Sequence, residues 1–246
     1  MSRAETVQVG DASLRVVRVS PDADDDSLLT NLTDAGLPTP TPVVVLVGGA
    51  AGLEPHESAV SAQLFADALV PVLDKTGACL IDGGTAAGIM ALAGQARQDA
   101  AAIGPHVGVV AAETVNWPGL PARPDAADLD SQHTHIVVVP GSTWGDEAPW
   151  LAKIATALAG SAPSVTVLAN GGPIAYDDLH YSLAAGRPVL VLADTGRTAA
   201  DIAAARAGSQ RDARATEVAA SSLVDIVGSD PSELIAKLTE LLRPVL

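Results

Sequence analysis

The chain has 246 residues, with 14 Lys and Arg against 29 Asp and Glu for a net charge of −15, so it lacks the basic face that a phosphate backbone requires and nucleic acid is excluded as its main partner. Its single cysteine, Cys79, cannot close an internal disulfide, which excludes a bridge-stapled scaffold and favours a reducing compartment. No apolar run reaches the ~20 residues of a bilayer span and the N-terminus lacks a signal-peptide stretch, so a soluble, cytoplasmic protein without membrane contact is expected.

Hydrophobic residues make up 48% of the chain but aromatic ones only 2%, which predicts an aliphatic, Ala-rich core of helices lying close on a sheet. In chain order, Val7 to Val19 alternates around Gly10-Asp11 and reads as an edge hairpin, an appendage to the sheet. Residues 20–42, with Asp24, Asp25 and Asp26 consecutive, read as a solvated loop. Buried strands are predicted at Val43 to Val47, Ala78 to Ile81, Val107 to Val110, Ile136 to Val139, Val165 to Leu168 and Val189 to Leu192, with a weaker one at Leu223 to Val227. Helical patterns lie between them at about 56–73, 86–101, 147–159, 176–185 and 199–207, and a last helix opens at Asp230-Pro231. Residues 116–132 carry three prolines and no periodicity, a loop placed to cover a site. The pattern predicts one α/β domain with a mostly parallel sheet flanked by helices: residues 1–41 form the hairpin and acidic loop, and residues 42–246 the core.

In such sheets ligands bind beyond the carboxyl ends of the strands, where helix N-termini point free N–H groups. The loops found there are GGAAG (Gly48 to Gly52), DGGTAAG (Asp82 to Gly88), PGSTWGDE (Pro140 to Glu147), NGGP (Asn170 to Pro173) and DTGR (Asp194 to Arg197). One glycine-rich loop serves a tight turn as readily as a ligand, but their convergence on one edge points to a phosphate or nucleotide. No G-x-G-x-x-G follows a strand, and GGTAAGIM lacks the Lys-[Ser/Thr] ending of a phosphate loop, so neither ordinary NAD-enzyme binding nor ATP hydrolysis is supported.

Arg197 either forks onto a phosphate or pairs with a surface Asp, and Thr198 after it is placed to cap a helix. Arg187, at the amino end of its strand, reads as structural. His133 and His135 would share one face; without C-x-x-C or H-E-x-x-H they read as packing residues, and no metal is expected. Glu147 is either an acid/base group at the cleft or a first-turn acid favoured by the helix dipole.

The blocks Ala66 to Ala96, Leu129 to Glu147 and Asn170 to Ala205, containing GGTAAGIM, HTH before an apolar strand, GGP and GRTAADI, resemble the SLOG superfamily. More narrowly they resemble its LSDAT branch, the prokaryotic relatives of the cytoplasmic N-terminal domain of melastatin-type TRP channels. The resemblance implies a Rossmann-like, three-layer domain that binds ADP-ribose, cyclic ADP-ribose or NAD. It places Gly83, Gly84, Thr85, Gly88, Gly196 and Arg197 at the ligand, with Gly171 and Gly172 bordering the cleft. Gly49, Gly141, Ser142, Thr143 and Thr198 join the candidate set from the other edge loops. Asp194 departs from the family's usual glycine.

The LOG-type phosphoribohydrolases of the same superfamily carry P-G-G-x-G-T-x-x-E, from which PGSTWGDE departs at Ser142 and in its spacing to Glu147. The expectation is therefore a nucleotide-derivative sensor with no cofactor, working through a separate effector protein and self-associating as a homodimer. The alternatives are a nucleotide N-glycosidase using Glu147, and an interaction protein with a vestigial cleft.

Overall fold

The computed structural model describes residues 4–209 and 211–243. The chain opens with β1 (Glu5–Val9), β2 (Ala12–Arg18), α1 (Asp25–Asp34), β3 (Val43–Gly48) and α2 (Pro55–Leu64). A π-helical turn over Phe65–Leu69 joins α2 to α3 (Val70–Thr76), so the expected helix over 56–73 is one interrupted rod. Then follow β4 (Cys79–Asp82), α4 (Gly88–Asp99), β5 (His106–Ala111), β6 (Val115–Asn116), β7 (Ala127–Asp128), β8 (His135–Val139) and α5 (Ala148–Ala159). The chain continues through β9 (Ser164–Ala169), α6 (Ala175–Ala184), β10 (Val189–Leu192), α7 (Arg197–Arg206), α8 (Ala213–Ala220), β11 (Val224–Val227) and α9 (Pro231–Leu241).

A single nine-stranded sheet runs β1-β2-β8-β5-β4-β3-β9-β10-β11, parallel throughout except for β1 against β2. Each core strand alternates its apolar side chains between two helical layers, which is why these strands read as unbroken apolar runs. Val43, Val45 and Val47 meet the layer of α1, α5, α6, α7 and α8, while Val44 and Leu46 meet α2, α3, α4 and α9. The fold is therefore the expected three-layer, Rossmann-like α/β architecture with an N-terminal hairpin. Among the described residues no helix is long and apolar enough to cross a membrane.

Three departures from expectation have local causes. The hairpin is no appendage: β2 pairs in parallel with β8 and extends the main sheet, burying Leu14 and Val16. The acidic segment expected as a loop contains α1, because Asp24 accepts the Ser27 N–H at 2.9 Å, Asp25 and Asp26 suit the positive first turn, and Leu28 and Leu32, four residues apart, bury completely. Likewise Asp212 accepts the Arg214 and Ala215 N–H groups and starts α8, which apolar periodicity alone did not announce. Residues 116–132 contain the short β6–β7 ladder, and at their end Thr85 bridges Leu129 while Asp130 N–H donates to Gly84 O at 3.1 Å.

After β3 the chain steps outward through β4, β5 and β8, then returns to the opposite side of β3 as β9. That reversal opens a crevice above the carboxyl ends of β3 and β9, the place where this architecture leaves room for a ligand.

Candidate functional site

A cavity of about 220 Å³ occupies this crevice. Its floor and sides are apolar, from Leu46, Val47, Met90, Leu151 and Ile174, and its polar groups come from loops after five different strands. Of the candidates named from sequence, the structure brings together on its wall Gly49, Gly83, Thr85, Glu147, Gly172 and Arg197.

Arg197 opens α7 in a left-handed conformation, φ +49°, rare for a residue with a side chain and maintained only where its surroundings hold it. From there its guanidinium reaches back over the crevice and Nη1 donates to Ala51 O. Glycines make the path: a methyl group at Gly49, Gly52 or Gly172 would lie 3.2 Å from a guanidinium nitrogen. Arg197 forms no ion pair among the described residues, so the surface pairing with an Asp is not realised. The amides of Ala50 and Ala51 donate to no acceptor among the described residues. A guanidinium outside any ion pair and unpaired N–H groups thus share one rim among the described residues, the donor types suited to an anion.

The other candidates lie off the wall. Gly84 packs its bare Cα against Gly108 and Val110, beneath the crevice, and its N–H donates to Asp82 Oδ1 at 2.8 Å. Gly88 abuts the Gly49 carbonyl, which accepts the Ile89 N–H, so the start of α4 is capped by the β3 loop. At Gly141, Ser142 and Thr143, Asp146 Oδ2 accepts the Ser142 and Thr143 N–H groups at 2.8 and 3.0 Å, occupying donors expected for a phosphate. Gly196 faces the Glu57 carboxylate, and Gly171 packs on Thr198. Thr198 does not cap α7 as expected; its hydroxyl donates to Gly172 O at 3.1 Å and braces the β9 loop. Asp194 lies beside Gly228 rather than on the cavity wall.

Glu147 stands just before α5, where its Oε2 accepts the Gly145 N–H at 3.0 Å. Burial and the neighbouring Asp146 raise its carboxyl above the usual range. On the same side of the cavity, Asp178 on α6 is raised well above the usual carboxylate range by burial, by Glu147 and by Asp177. Asp178 was not singled out from sequence, since it lies within a helix rather than in a carboxyl-end loop. The available signal was its position three residues after Ala175 and four before Ser182, both buried, which puts it on the inward face. Trp144, another wall residue not named from sequence, donates its indole N–H to Asp125 O at 3.3 Å and ties the cavity to the 116–132 segment.

Below the Gly83-Gly84 turn lies a fully buried cluster. Asp82 Oδ2 is 2.8 Å from His106 Nε2, Asp82 Oδ1 is 2.8 Å from His133 Nε2, and the two imidazoles stack with centroids 3.8 Å apart. Burial alone would raise the Asp82 carboxyl, but the two histidines hold it well below the usual range. Burial and His133 push His106 down to about 4, whereas Asp82 raises His133 against its own burial. These atoms are close enough to chelate an ion, yet each carboxylate oxygen already takes an imidazole N–H, which makes the cluster an anchor for the turn above it. The expected face shared by His133 and His135 is absent: His135 Nε2 turns to Ala35 O at 3.1 Å. Arg187 is structural as expected, donating to Ala152 O and Thr156 Oγ1.

The family described as "SLOG in TRPM, prokaryote" matches residues 41–236. Mouse transient receptor potential cation channel subfamily M member 2 is 26% identical over 226 residues, an alignment that covers 77% of this chain and 15% of the channel. The chain thus spans a small part of the curated relative that it matches.

Proposed function

Because the chain belongs to the prokaryotic SLOG family related to TRPM, we propose that the β3–β9 crevice binds a nucleotide-derived small molecule of the ADP-ribose, cyclic ADP-ribose or NAD class and that binding itself is the function. The observation that carries this reading is the Arg197 guanidinium, outside any ion pair among the described residues, lying over Gly49, Gly52 and Gly172 beside the Ala50 and Ala51 amides, which donate to no acceptor there. There a pyrophosphate meets a planar cation and backbone donors without side chains in the way. The cavity, about 220 Å³, is smaller than the ~300–1,000 Å³ that encloses a drug-sized ligand, so it seats one moiety while the rest lies along the open rim. The bound state is read by a separate effector protein, and the sensor acts as a homodimer.

A second reading, hydrolysis of an N-glycosidic or phosphoribosyl bond, is favoured by one observation: Glu147 lies on the cavity wall, where burial raises its carboxyl, the direction that suits an acid/base group.

Thermal denaturation in the presence of ADP-ribose, cyclic ADP-ribose, NAD and AMP, followed by chromatography of each mixture, tests both. A ligand at a hundred times its Kd adds ~2.7 kcal/mol of stability. Stabilisation without product supports the sensor, product in catalytic amounts supports the hydrolase, and no stabilisation by any nucleotide overturns both.

A further inference from the structure

We propose that Asp178, with Glu147 beside it, is the subsite that reads the base: its carboxyl offers one O–H donor and one acceptor oxygen to a planar edge carrying a ring-nitrogen acceptor next to an exocyclic amine, as adenine does. The inference rests on the nucleotide reading of the cavity and deepens it.

The cavity is electrically divided. Its charged wall residues are Arg197 on the β3 and β10 side and Glu147 and Asp178 on the α5 and α6 side, and Arg197 pairs with neither carboxyl. Phosphates belong at the Arg197 rim, because the cavity's cation lies there and the other end offers carboxyls and no cation. An uncharged moiety is therefore left facing Asp178. The Glu147 carboxyl already accepts the Gly145 N–H, while the Asp178 carboxyl makes no hydrogen bond among the described residues, leaving its donor and acceptor capacity for a ligand. Around it the wall is Leu151, Ile174 and the half-exposed Trp144 ring, suited to the faces of a heterocycle. Burial and the neighbouring carboxyl both disfavour the ionised form of Asp178. Glu147 and Asp177 on the same helix both favour the neutral form of Asp178, and Asp146 does the same for Glu147. A neutral carboxyl matches the adenine edge with two hydrogen bonds; an ionised one has no donor for the ring nitrogen.

The test is calorimetric titration of the full chain with AMP and with purine riboside 5′-monophosphate, which lacks the amine, on wild type, Asp178→Asn, Asp178→Leu and Arg197→Ala. Wild type is expected to bind AMP ~10-fold more tightly than the analogue, the equivalent of one hydrogen bond. Asp178→Asn keeps one donor and one acceptor and retains that preference, whereas Asp178→Leu binds both nucleotides equally. A preference that survives Asp178→Leu while Arg197→Ala weakens both nucleotides overturns the base-reading role and leaves the nucleotide reading standing. Loss of AMP binding in a folded Asp178→Asn variant also overturns it. Failure of wild type to bind either nucleotide overturns the nucleotide reading and this subsite with it.

Discussion

Asp82 at the end of β4 and His133 in the loop before β8 lie 2.8 Å apart, both fully buried, although 51 residues separate them in the chain. Because the same Asp82 oxygen also accepts the Gly84 N–H at 2.8 Å, this pair holds the turn that presents Gly83 and Thr85 to the cavity. Asp82→Asn leaves the buried imidazoles without their counter-charge. It is expected to cost about 3–5 kcal/mol of stability in a denaturant titration. A loss below ~1 kcal/mol would show that the pair does not anchor the turn.

The cluster sets a pH dependence on both sides of neutrality. His106 is held at about 4 in the folded protein against 6.5 in the free side chain, so the unfolded chain takes up a proton that the folded one refuses, and stability falls as pH drops from about 6.5 towards 4. His133 runs the other way. Its raised folded value contributes stability fully present below about 6.5 and lost as pH rises through that value. Unfolding midpoints measured across this range should therefore form a dome, and His106→Asn should flatten its acid limb relative to wild type. Identical acid limbs in the two proteins would refute the assignment.

Arg197 is exposed and pairs with no carboxylate among the described residues, so Arg197→Ala should leave the stability of the ligand-free protein within ~1 kcal/mol. A phosphate-bearing ligand should lose about 2 kcal/mol of affinity, ~30-fold, as a charge-assisted hydrogen bond disappears. Isothermal titration measures it directly, and an unchanged Kd would remove Arg197 from the site.

Two glycine substitutions separate architecture from binding. At Gly84, φ +68°, a Cβ would lie 2.7 Å from Val110 Cγ1 and 3.0 Å from Gly108 Cα. Gly84→Val should thus destabilise the fold by at least ~1–3 kcal/mol rather than merely block a ligand. At Gly172 the obstacle is the movable end of Arg197, 3.2 Å away. Gly172→Ala should retain the wild-type melting midpoint while weakening ligand binding, and a collapse of the midpoint would count against that division.

The order of strands and helices was legible because it depends on local periodicity. Runs such as Val43 to Val47 have to be apolar on every residue when both faces are covered, and each predicted core strand lies within one residue of its observed ends. Asp24 to Asp26 misled because three acids signal solvent and a helix N-terminus equally, and only the burial of Leu28 and Leu32 against the sheet decides between them.

The sequence by itself determined the fold class, the glycine-rich loops along the carboxyl edge of the sheet, and the place of Arg197 in one of them. All three follow from residue types placed a few positions from a strand end. Tertiary structure alone decided which glycines face the cavity, that Asp146 already occupies the Ser142 and Thr143 amides, and that Asp178 and Glu147 share one side of the crevice. The physical reason is that hydrogen-bond occupancy and carboxyl protonation depend on groups brought together from distant parts of the chain. The step from β8 back to β9 brings α5 and α6 together over the end of β3, and linear spacing does not encode that meeting.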